Sequence, residues 1–266
     1  MSATTPESSR ASLSDGIRFA FGTLTVLPVT VARWDRAAAR TGMLCAPLAG
    51  LAVGAAAGAL GGALSLLGAG ALLAAVAAVA VPAALTRGLH LDGLADVADG
   101  LGSNKPAEDA LRIMKQSDIG PFGVVTLVLA LFAQVAALDR LFTDSWARGA
   151  VGAVLCAVTA RLALTLASRE GVPAARPEGL GAAVAQAVPR GAAFAVGAVA
   201  AAVAAAVRLP GGPADSVRAA AAVVLGCAAG ELTVRRCTRR LGGVTGDVFG
   251  AVAETAATAA LVVLAL

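Results

Sequence analysis

The sequence predicts an all-α, polytopic membrane protein with about seven transmembrane helices. Of its 266 residues, 58% are hydrophobic and only 14% are charged, and the mean hydropathy is +0.81. Such a composition is far from that of soluble domains and is typical of a chain whose solvent is the bilayer. The chain contains 31 glycines, so we expect its helices to pack closely through small residues. We interpret residues 1–266 as a single membrane-embedded domain.

The N-terminal part is predicted to stay outside the bilayer core. Residues 1–14 are polar and carry Glu7 before any apolar run, which favours a flexible cytoplasmic tail over a secretory signal. Residues 17–31 are apolar, but the stretch is short and contains Pro28. This pattern favours an interfacial or re-entrant segment over a full span.

The spans follow this segment. No charged residue occurs from position 42 to position 86, a length that fits two helices of about 20 residues each, with the glycines between 61 and 70 marking the turn. Five further spans are predicted at residues 119–138, 149–168, 191–207, 219–234 and 248–266. Between the second and third spans, Asn104 and Pro106 signal the start of a cytoplasmic helix that ends near Gly120.

The distribution of basic residues predicts the orientation. With the N-terminus inside, sixteen of the 21 Lys and Arg residues fall in cytoplasmic segments and four in outside connections. Short cytoplasmic connections are enriched in Lys and Arg. The polar segments around residues 87–118 and 235–247 are therefore expected on the cytoplasmic side.

Three aspartates follow the long uncharged stretch. Asp92, Asp96 and Asp99 stand at i, i+4 and i+7, so a helix would project their carboxylates from one face. Clustered like charges repel, whereas a divalent cation would make the arrangement favourable, and Mg²⁺ takes carboxylate oxygens together with phosphate oxygens. We therefore expect a metal site for phosphoryl transfer rather than a solvated helix end.

Further candidates lie beside these acids. His90 is either a helix-end residue at the interface or a catalytic base. Arg112 and Lys115 lie about one turn apart and are suited to holding phosphates, although Glu108 could instead pair with Arg112. The cysteines and the single histidine show no spacing typical of a zinc site or a disulfide scaffold.

The last span begins with a basic, glycine-rich turn that offers backbone N–H groups and a helix N-terminus to an anion. Asp247 and Glu254 stand at i and i+7 there, so one face of the helix carries two acids. Ionisable residues within a membrane are costly and are functional candidates. Arg161 in its span is either a substrate-binding residue or the internal partner of one of these acids.

Three stretches of this sequence resemble, in order, the cobalamin synthase family, whose members are also called adenosylcobinamide-GDP ribazoletransferases. They are HLDGLADVADG at 90–100, LRIMK at 111–115 with GPFG at 120–123, and LGGVTGDVFGA at 241–251. Arg161 and Arg176 also fit the resemblance, which extends over nearly the whole chain.

The resemblance implies the last assembly step of vitamin B12. A hydroxyl of α-ribazole, or of its 5′-phosphate, attacks the phosphorus attached to adenosylcobinamide, and GMP leaves. It further implies a Mg²⁺ cofactor, the bacterial cytoplasmic (inner) membrane, an active site facing the cytoplasm and no nucleic-acid partner, and it leaves open whether the chain forms a homo-oligomer.

The chemistry of the residues, taken together with this resemblance, suggests their roles. The expected catalytic residues are Asp92, Asp96, Asp99 and His90; the expected metal ligands are Asp92, Asp96, Asp99 and Asp247; and the expected substrate-binding residues are Arg112, Lys115, Arg161, Arg176, Thr245 and Asp247. Two departures are visible. Gln116 stands where the family often has an acid, and Val26 where it often has an arginine.

Two other functions compete with this interpretation. A CDP-alcohol phosphotransferase of lipid synthesis also uses helix-borne aspartates and a metal, but its motif D-x-x-D-G-x-x-A-R lacks a counterpart, because no Ala-Arg follows Gly100. An ion-coupled transporter would relay ions through intramembrane acids. It should show an internal repeat, and the pattern of residues 90–100 is not repeated.

Overall fold

A computed structural model describes residues 10–266, so residues 1–9 of the predicted tail lie outside the described part. The described chain is almost entirely helical, which confirms the predicted fold class. Its helices are α1 Leu13–Leu24, α2 Arg36–Leu66, α3 Ala71–Leu85, α4 Leu89–Gly102, α5 Ala107–Ile113, α6 Pro121–Asp144, α7 Trp146–Ala167, α8 Leu180–Val184, α9 Arg190–Arg208, α10 Pro213–Leu241 and α11 Gly246–Ala265.

The first helix begins within the predicted tail of residues 1–14. The Ser12 hydroxyl accepts from the backbone N–H of Asp15 at 3.1 Å, and the Asp15 carboxylate accepts from the Ser12 N–H at 3.0 Å. This reciprocal capping box fixes the helix start at Leu13. The helix has only 12 residues, which agrees with a segment too short to cross the bilayer.

Six helices of the described chain are long and apolar enough to span a membrane: α2, α6, α7, α9, α10 and α11. By length and composition, the predicted seventh span is reached only if α3 and α4 together count as one span. These two helices are bent by 88° relative to each other. By itself α3 has 15 residues, fewer than the roughly 20 that a span needs. The N–H of Val26, before α2, donates to the Leu85 carbonyl at the end of α3, so α3 returns the chain to the end of the bundle where α2 began. We therefore treat α3 as a short seventh crossing beside the six long helices and α4 as a helix at the end of the bundle.

Small residues set the central helix contact, between α2 and α7. A Cβ atom at Gly50 would lie 2.5 Å from a backbone oxygen of α7, and one at Gly58 would lie 2.7 Å from another. A Cβ atom at Gly54 would lie 2.7 Å from a Cα atom of α7. These three glycines share one face of α2 and allow the two backbones to touch, as expected for helices that associate inside lipid. The turn between α2 and α3 starts later than predicted, because α2 continues to Leu66.

The polar connections meet at one end of the bundle, formed by residues 25–35, 86–120, 168–189 and 242–245. The N–H of Val26 donates to the Leu85 carbonyl at 2.7 Å, and the N–H of Ala175 donates to the Val244 carbonyl at 2.9 Å. We call this the loop-rich end. The close approach of Gly93 to the Asp247 carbonyl confirms that the aspartate segment and the glycine-rich turn near the C-terminus lie at the same end.

Candidate functional site

A cavity of about 720 Å³ opens at the loop-rich end. Its walls come from the end of α1, the break between α3 and α4, the first turns of α4 and the loop that leads into α6. Asp92 and Asp96 line it, as do Arg87, Thr25 and Asp118. The cavity therefore brings two of the three predicted aspartates to one space that a ligand can enter.

A close helix crossing places Asp247 near these acids. A Cβ atom at Gly93 would lie 2.5 Å from the Asp247 carbonyl oxygen, and one at Gly250 would lie 2.9 Å from the His90 carbonyl oxygen. Because both glycines lack a side chain, α4 and α11 can approach until their backbones touch. This contact brings an acid from a distant part of the sequence beside the α4 aspartates.

The acids influence one another electrostatically. Burial, together with the negative charges of Asp92, Asp247 and Asp99, raises the pKa of Asp96 to about 7, while the charge of Arg176 lowers it. Carboxylates that crowd together resist ionising at the same time. A cation bound among them would relieve this repulsion.

Asp99 has a different environment from its two neighbours. Its side chain is buried, with 9% of the residue exposed. Its carboxylate accepts the backbone N–H groups of Gly120 at 2.8 Å and Gly123 at 3.0 Å, which are two of the donors that the start of α6 leaves unpaired. Asp99 thus caps α6 and does not line the cavity.

Asp247 is held by the N-cap residue of its own helix and by an arginine from another segment. Thr245 caps α11 by accepting the Val248 N–H at 3.2 Å, and its hydroxyl donates to the Asp247 carboxylate at 3.2 Å. Arg176 lies 3.7 Å from the same carboxylate and also donates to the Leu111 carbonyl. Arg176 therefore ties Asp247 to the segment of α5.

The two cations predicted on the α5 segment lie at the surface. Arg112 pairs with Asp109 at 3.0 Å and approaches Glu108 at 3.8 Å. Arg112 therefore forms an ion pair within its own helix, as the alternative expected, but mainly with Asp109. Lys115 is exposed. Neither residue is among those that line the cavity.

His90 and Arg161 lie inside the bundle, and each is only 3% exposed. Within the described chain, Nε2 of His90 and Nε and Nη2 of Arg161 have no hydrogen-bond partner. Burial and the charge of Arg161 hold the pKa of His90 well below its usual value. Glu254 influences Arg161 through its charge, but its carboxylate accepts from Gln134 at 2.9 Å.

The predicted metal ligands are not all gathered together. In residues 10–266, no three His, Cys, Asp or Glu side chains lie close enough to hold one metal ion as a group. This differs from the expected set of Asp92, Asp96, Asp99 and Asp247. The physical reason is visible for Asp99, whose carboxylate is taken up by the start of α6.

The pair that remains at the cavity is compatible with Mg²⁺. This ion usually binds through one or two carboxylates and completes its shell with water and substrate phosphates. Asp92 and Asp96 are such a pair, one turn apart on α4, and both line the cavity. The donor set therefore fits a magnesium ion shared with a phosphate substrate.

Comparison with known proteins identifies the family. The cobalamin-5-phosphate synthase family matches residues 16–265, which is nearly the whole chain. The chain belongs to this family.

Curated relatives support the assignment. The chain is similar to an adenosylcobinamide-GDP ribazoletransferase of Frankia casuarinae, with 45% identity over 180 residues that cover 64% of each chain. It is also similar to proteins of the same name from Nocardioides sp., with 42% identity over 66% of this chain and 76% of the relative, and from Syntrophobacter fumaroxidans, with 47% identity over 41% and 42%. The match thus spans somewhat less than two thirds of the Frankia relative. No solved structure gives a significant match.

The structure adds residues to this candidate site that sequence reasoning did not select. Arg87, Thr23 and Ser117 line the cavity beside the aspartates. Arg87 occupies the left-handed backbone region, with φ 53°, which is uncommon for a residue other than glycine. In the sequence, the only sign of this feature is a basic residue followed by glycine, Arg87-Gly88, directly before a helix. That Arg87 lines a cavity depends on how α3 and α4 are arranged.

Proposed function

We propose that this chain catalyses the reaction for which its curated relatives are named, the transfer of ribazole to adenosylcobinamide-GDP. A hydroxyl of α-ribazole, or of its 5′-phosphate, attacks the phosphorus attached to adenosylcobinamide. GMP leaves, and adenosylcobalamin or its 5′-phosphate forms. The observation that carries the proposal is the Asp92 and Asp96 pair, which lines a cavity of about 720 Å³ in a chain that matches the family over residues 16–265.

Asp92 and Asp96 are the residues that would hold Mg²⁺ in this proposal. When bound, the ion would supply positive charge that neutralises the diphosphate and favours attack on phosphorus. The carboxylates have room for this task because neither is engaged by a capping interaction like that of Asp99. Their spacing of one helical turn presents both to the same ligand.

Asp247 and Arg176 would shape the side of the site next to α11. Arg176 lies near the Asp247 carboxylate and binds the Leu111 carbonyl, so it holds the C-terminal glycine-rich turn against the α5 segment. Its positive charge also favours negative charge that develops on phosphate oxygens. We assign to Arg176 the role of positioning Asp247 and assisting phosphate binding.

The attacking hydroxyl must lose a proton to a group that can reach it. His90 is enclosed within the bundle and is not among the cavity-lining residues, whereas Asp92 and Asp96 are. We therefore assign the proton to a cavity carboxylate. His90 would act instead in positioning α4 against α11, where its backbone meets Gly250.

The location proposed is the bacterial cytoplasmic membrane, with the loop-rich end facing the cytoplasm. Six helices within residues 10–266 are long and apolar enough to span a bilayer, and sixteen of the 21 basic residues fall in the segments predicted to be cytoplasmic, which contain or border the segments of the loop-rich end. Cytoplasmic connections are enriched in such residues. This orientation would give the cavity access to nucleotide substrates made inside the cell.

The test is turnover by the purified protein in lipid vesicles. With adenosylcobinamide-GDP, α-ribazole and Mg²⁺, we expect release of GMP together with a corrinoid product, and loss of both when a chelator removes the metal. Asp96→Asn should lower the rate by about 100-fold or more, because a ligand of the charge-neutralising ion is lost. Asp139→Asn, at the opposite end of α6, is the matched control.

Two outcomes would contradict the proposal. One is a wild-type protein that binds both substrates yet releases no GMP. The other is an Asp96→Asn protein with the same Mg²⁺-dependent rate as the Asp139→Asn control. Full activity in chelator would remove the metal from the proposal but leave the transfer reaction in place.

A further inference from the structure

We propose that Arg87 binds the phosphate oxygens of the substrate's diphosphate inside the cavity. The inference deepens the proposed function and rests on it. It assigns a substrate contact to a residue that lies outside the set of cations selected from the sequence. The proposal joins three observations: the location of Arg87, its backbone conformation and the charges that surround it.

The location of Arg87 is fixed by the break between α3 and α4. Its N–H donates to the Ala84 carbonyl at 3.1 Å, and the N–H of Gly88 donates to the Ala83 carbonyl at 2.7 Å. These bonds end α3, and α4 then departs at 88°. The side chain of Arg87 therefore starts from a fixed backbone at the wall of the cavity that Asp92 and Asp96 also line.

The backbone conformation of Arg87 is unfavourable for an arginine. Both Arg87, at φ 53°, and Gly88, at φ 70°, adopt the left-handed region. Glycine enters this region without steric cost, whereas a residue with a Cβ does not. Strained positions of this kind are concentrated at functional sites, so an arginine here is consistent with a role for its side chain.

Arg87 is the side chain of this cavity that can attract an anion. Arg87 is the single basic residue among the cavity-lining residues of the described chain, beside the acids Asp92, Asp96 and Asp118. In residues 10–266 its guanidinium has no ion pair or side-chain hydrogen bond. The guanidinium is exposed and is therefore available to a ligand.

The other candidate cations are less well placed for this task. Arg112 is paired with Asp109, Arg176 is held between Asp247 and the Leu111 carbonyl, and Arg161 is buried within the bundle. A diphosphate carries several acceptor oxygens, and a guanidinium can bind two of them at once. Arg87 would thus hold the diphosphate on one side while the Asp92 and Asp96 pair faces it on another.

The test uses Arg87→Gly, because glycine suits the left-handed backbone and preserves the break. Loss of function in this variant therefore cannot come from backbone strain. The matched control is Gln186→Gly. Gln186 is another non-glycine residue in the left-handed region, with φ 57°, it also lies at the loop-rich end, and it does not line this cavity. Arg87→Lys retains the charge but loses the two-pronged donor geometry.

We expect Arg87→Gly to lower kcat/KM for adenosylcobinamide-GDP by about 10- to 100-fold, the range for one lost hydrogen-bonding charge. The loss should appear in KM for this substrate and leave KM for α-ribazole unchanged. Arg87→Lys should recover part of the affinity. Gln186→Gly should behave as wild type, and the thermal midpoint of Arg87→Gly should be equal to or above that of wild type.

A binding measurement separates this inference from the proposed function. GDP should bind the wild-type protein in the presence of Mg²⁺ more tightly than it binds Arg87→Gly, whereas guanosine should not distinguish the two. Equal GDP affinities, or no GDP binding by wild type, would overturn the role of Arg87 whatever the turnover assay shows. A wild-type protein that binds GDP through Arg87 but forms no corrinoid product would contradict the proposed function alone.

Discussion

The carboxylate of Asp99 gives the sharpest contrast between a metal ligand and a structural cap. Replacing it by alanine would remove both acceptors that the N–H groups of Gly120 and Gly123 use, at 2.8 Å and 3.0 Å. It would also remove a negative charge from the start of α6, where the helix dipole favours an anion. Asp99→Asn would keep one acceptor oxygen at the same place.

The magnitude follows from these two bonds. Hydrogen bonds to a charged group contribute about 1.5–3 kcal/mol each, and buried donors left without a partner carry a desolvation penalty. Because the site is 9% exposed, water can replace only part of the loss. We expect Asp99→Ala to lower the free energy of unfolding by about 3 kcal/mol, and Asp99→Asn by about half of that.

The assay is reversible unfolding of the purified protein in mixed micelles. Unfolding is monitored as the loss of helical circular dichroism signal while the fraction of denaturing detergent is raised. Asp96→Asn is the control, because it removes a crowded carboxylate one turn away and should leave stability unchanged or raised. Mg²⁺-dependent turnover is measured on the same samples. If Asp99→Ala unfolds at the wild-type midpoint and loses turnover as Asp96→Asn does, the cap assignment is wrong and Asp99 is a metal ligand.

Three further predictions concern the helix crossing, the opposite end of the bundle and the orientation. Gly93→Ala should separate α4 from α11 and lower activity, at a stability cost of about 1–3 kcal/mol, because the new Cβ would lie 2.5 Å from the Asp247 carbonyl oxygen. Asp215→Asn should destabilise the protein by about 1–3 kcal/mol without changing KM, since Asp215 accepts from two arginines far from the cavity. Single cysteines at Ser117 and Leu67 should react with a membrane-impermeant reagent from opposite sides.

Each of these predictions has its own control. For the crossing, Gly197→Ala serves, because a Cβ there meets no atom within 4 Å; equal activity of the two alanine variants would contradict the close approach. For Asp215, high salt should reduce the difference in unfolding midpoint between Asp215→Asn and wild type. Equal midpoints of the two proteins in low salt would show that the ion pairs contribute nothing to stability. For the orientation, the wild-type protein gives the background labelling of its native cysteines. Labelling of the cysteines at positions 67 and 117 from the same side would overturn the topology.

Much of the fold could be predicted because the bilayer imposes it. A chain segment inside lipid must satisfy its own backbone hydrogen bonds, which makes long apolar stretches helical. The spans near residues 119–138, 149–168, 191–207, 219–234 and 248–266 correspond to α6, α7, α9, α10 and α11. The end of α2 was harder to predict, because glycine favours turns in a sequence but permits close packing in a membrane helix.

The candidate site was predicted in part. Local spacing was enough to select Asp92 and Asp96, and the position of Asp247 in the first turn of the last span selected it separately; the structure places it beside them through the contact of Gly93 with α11. Spacing alone could not assign Asp99 to the start of α6, because its partners lie more than twenty residues away in the sequence. A hydrogen bond of that kind exists only once α4 and α6 have packed together.

The sequence by itself therefore determined a helical membrane protein, its polar segments and a pair of aspartates on one helix face, since these depend on composition and on the period of the helix. The tertiary structure alone decided which polar groups share a cavity and which are used for packing. Asp99 became a cap and Arg87 a cavity residue because long-range contacts fix the directions of α4 and α6. Local periodicity sets the face of a helix, but the neighbouring elements decide what that face meets.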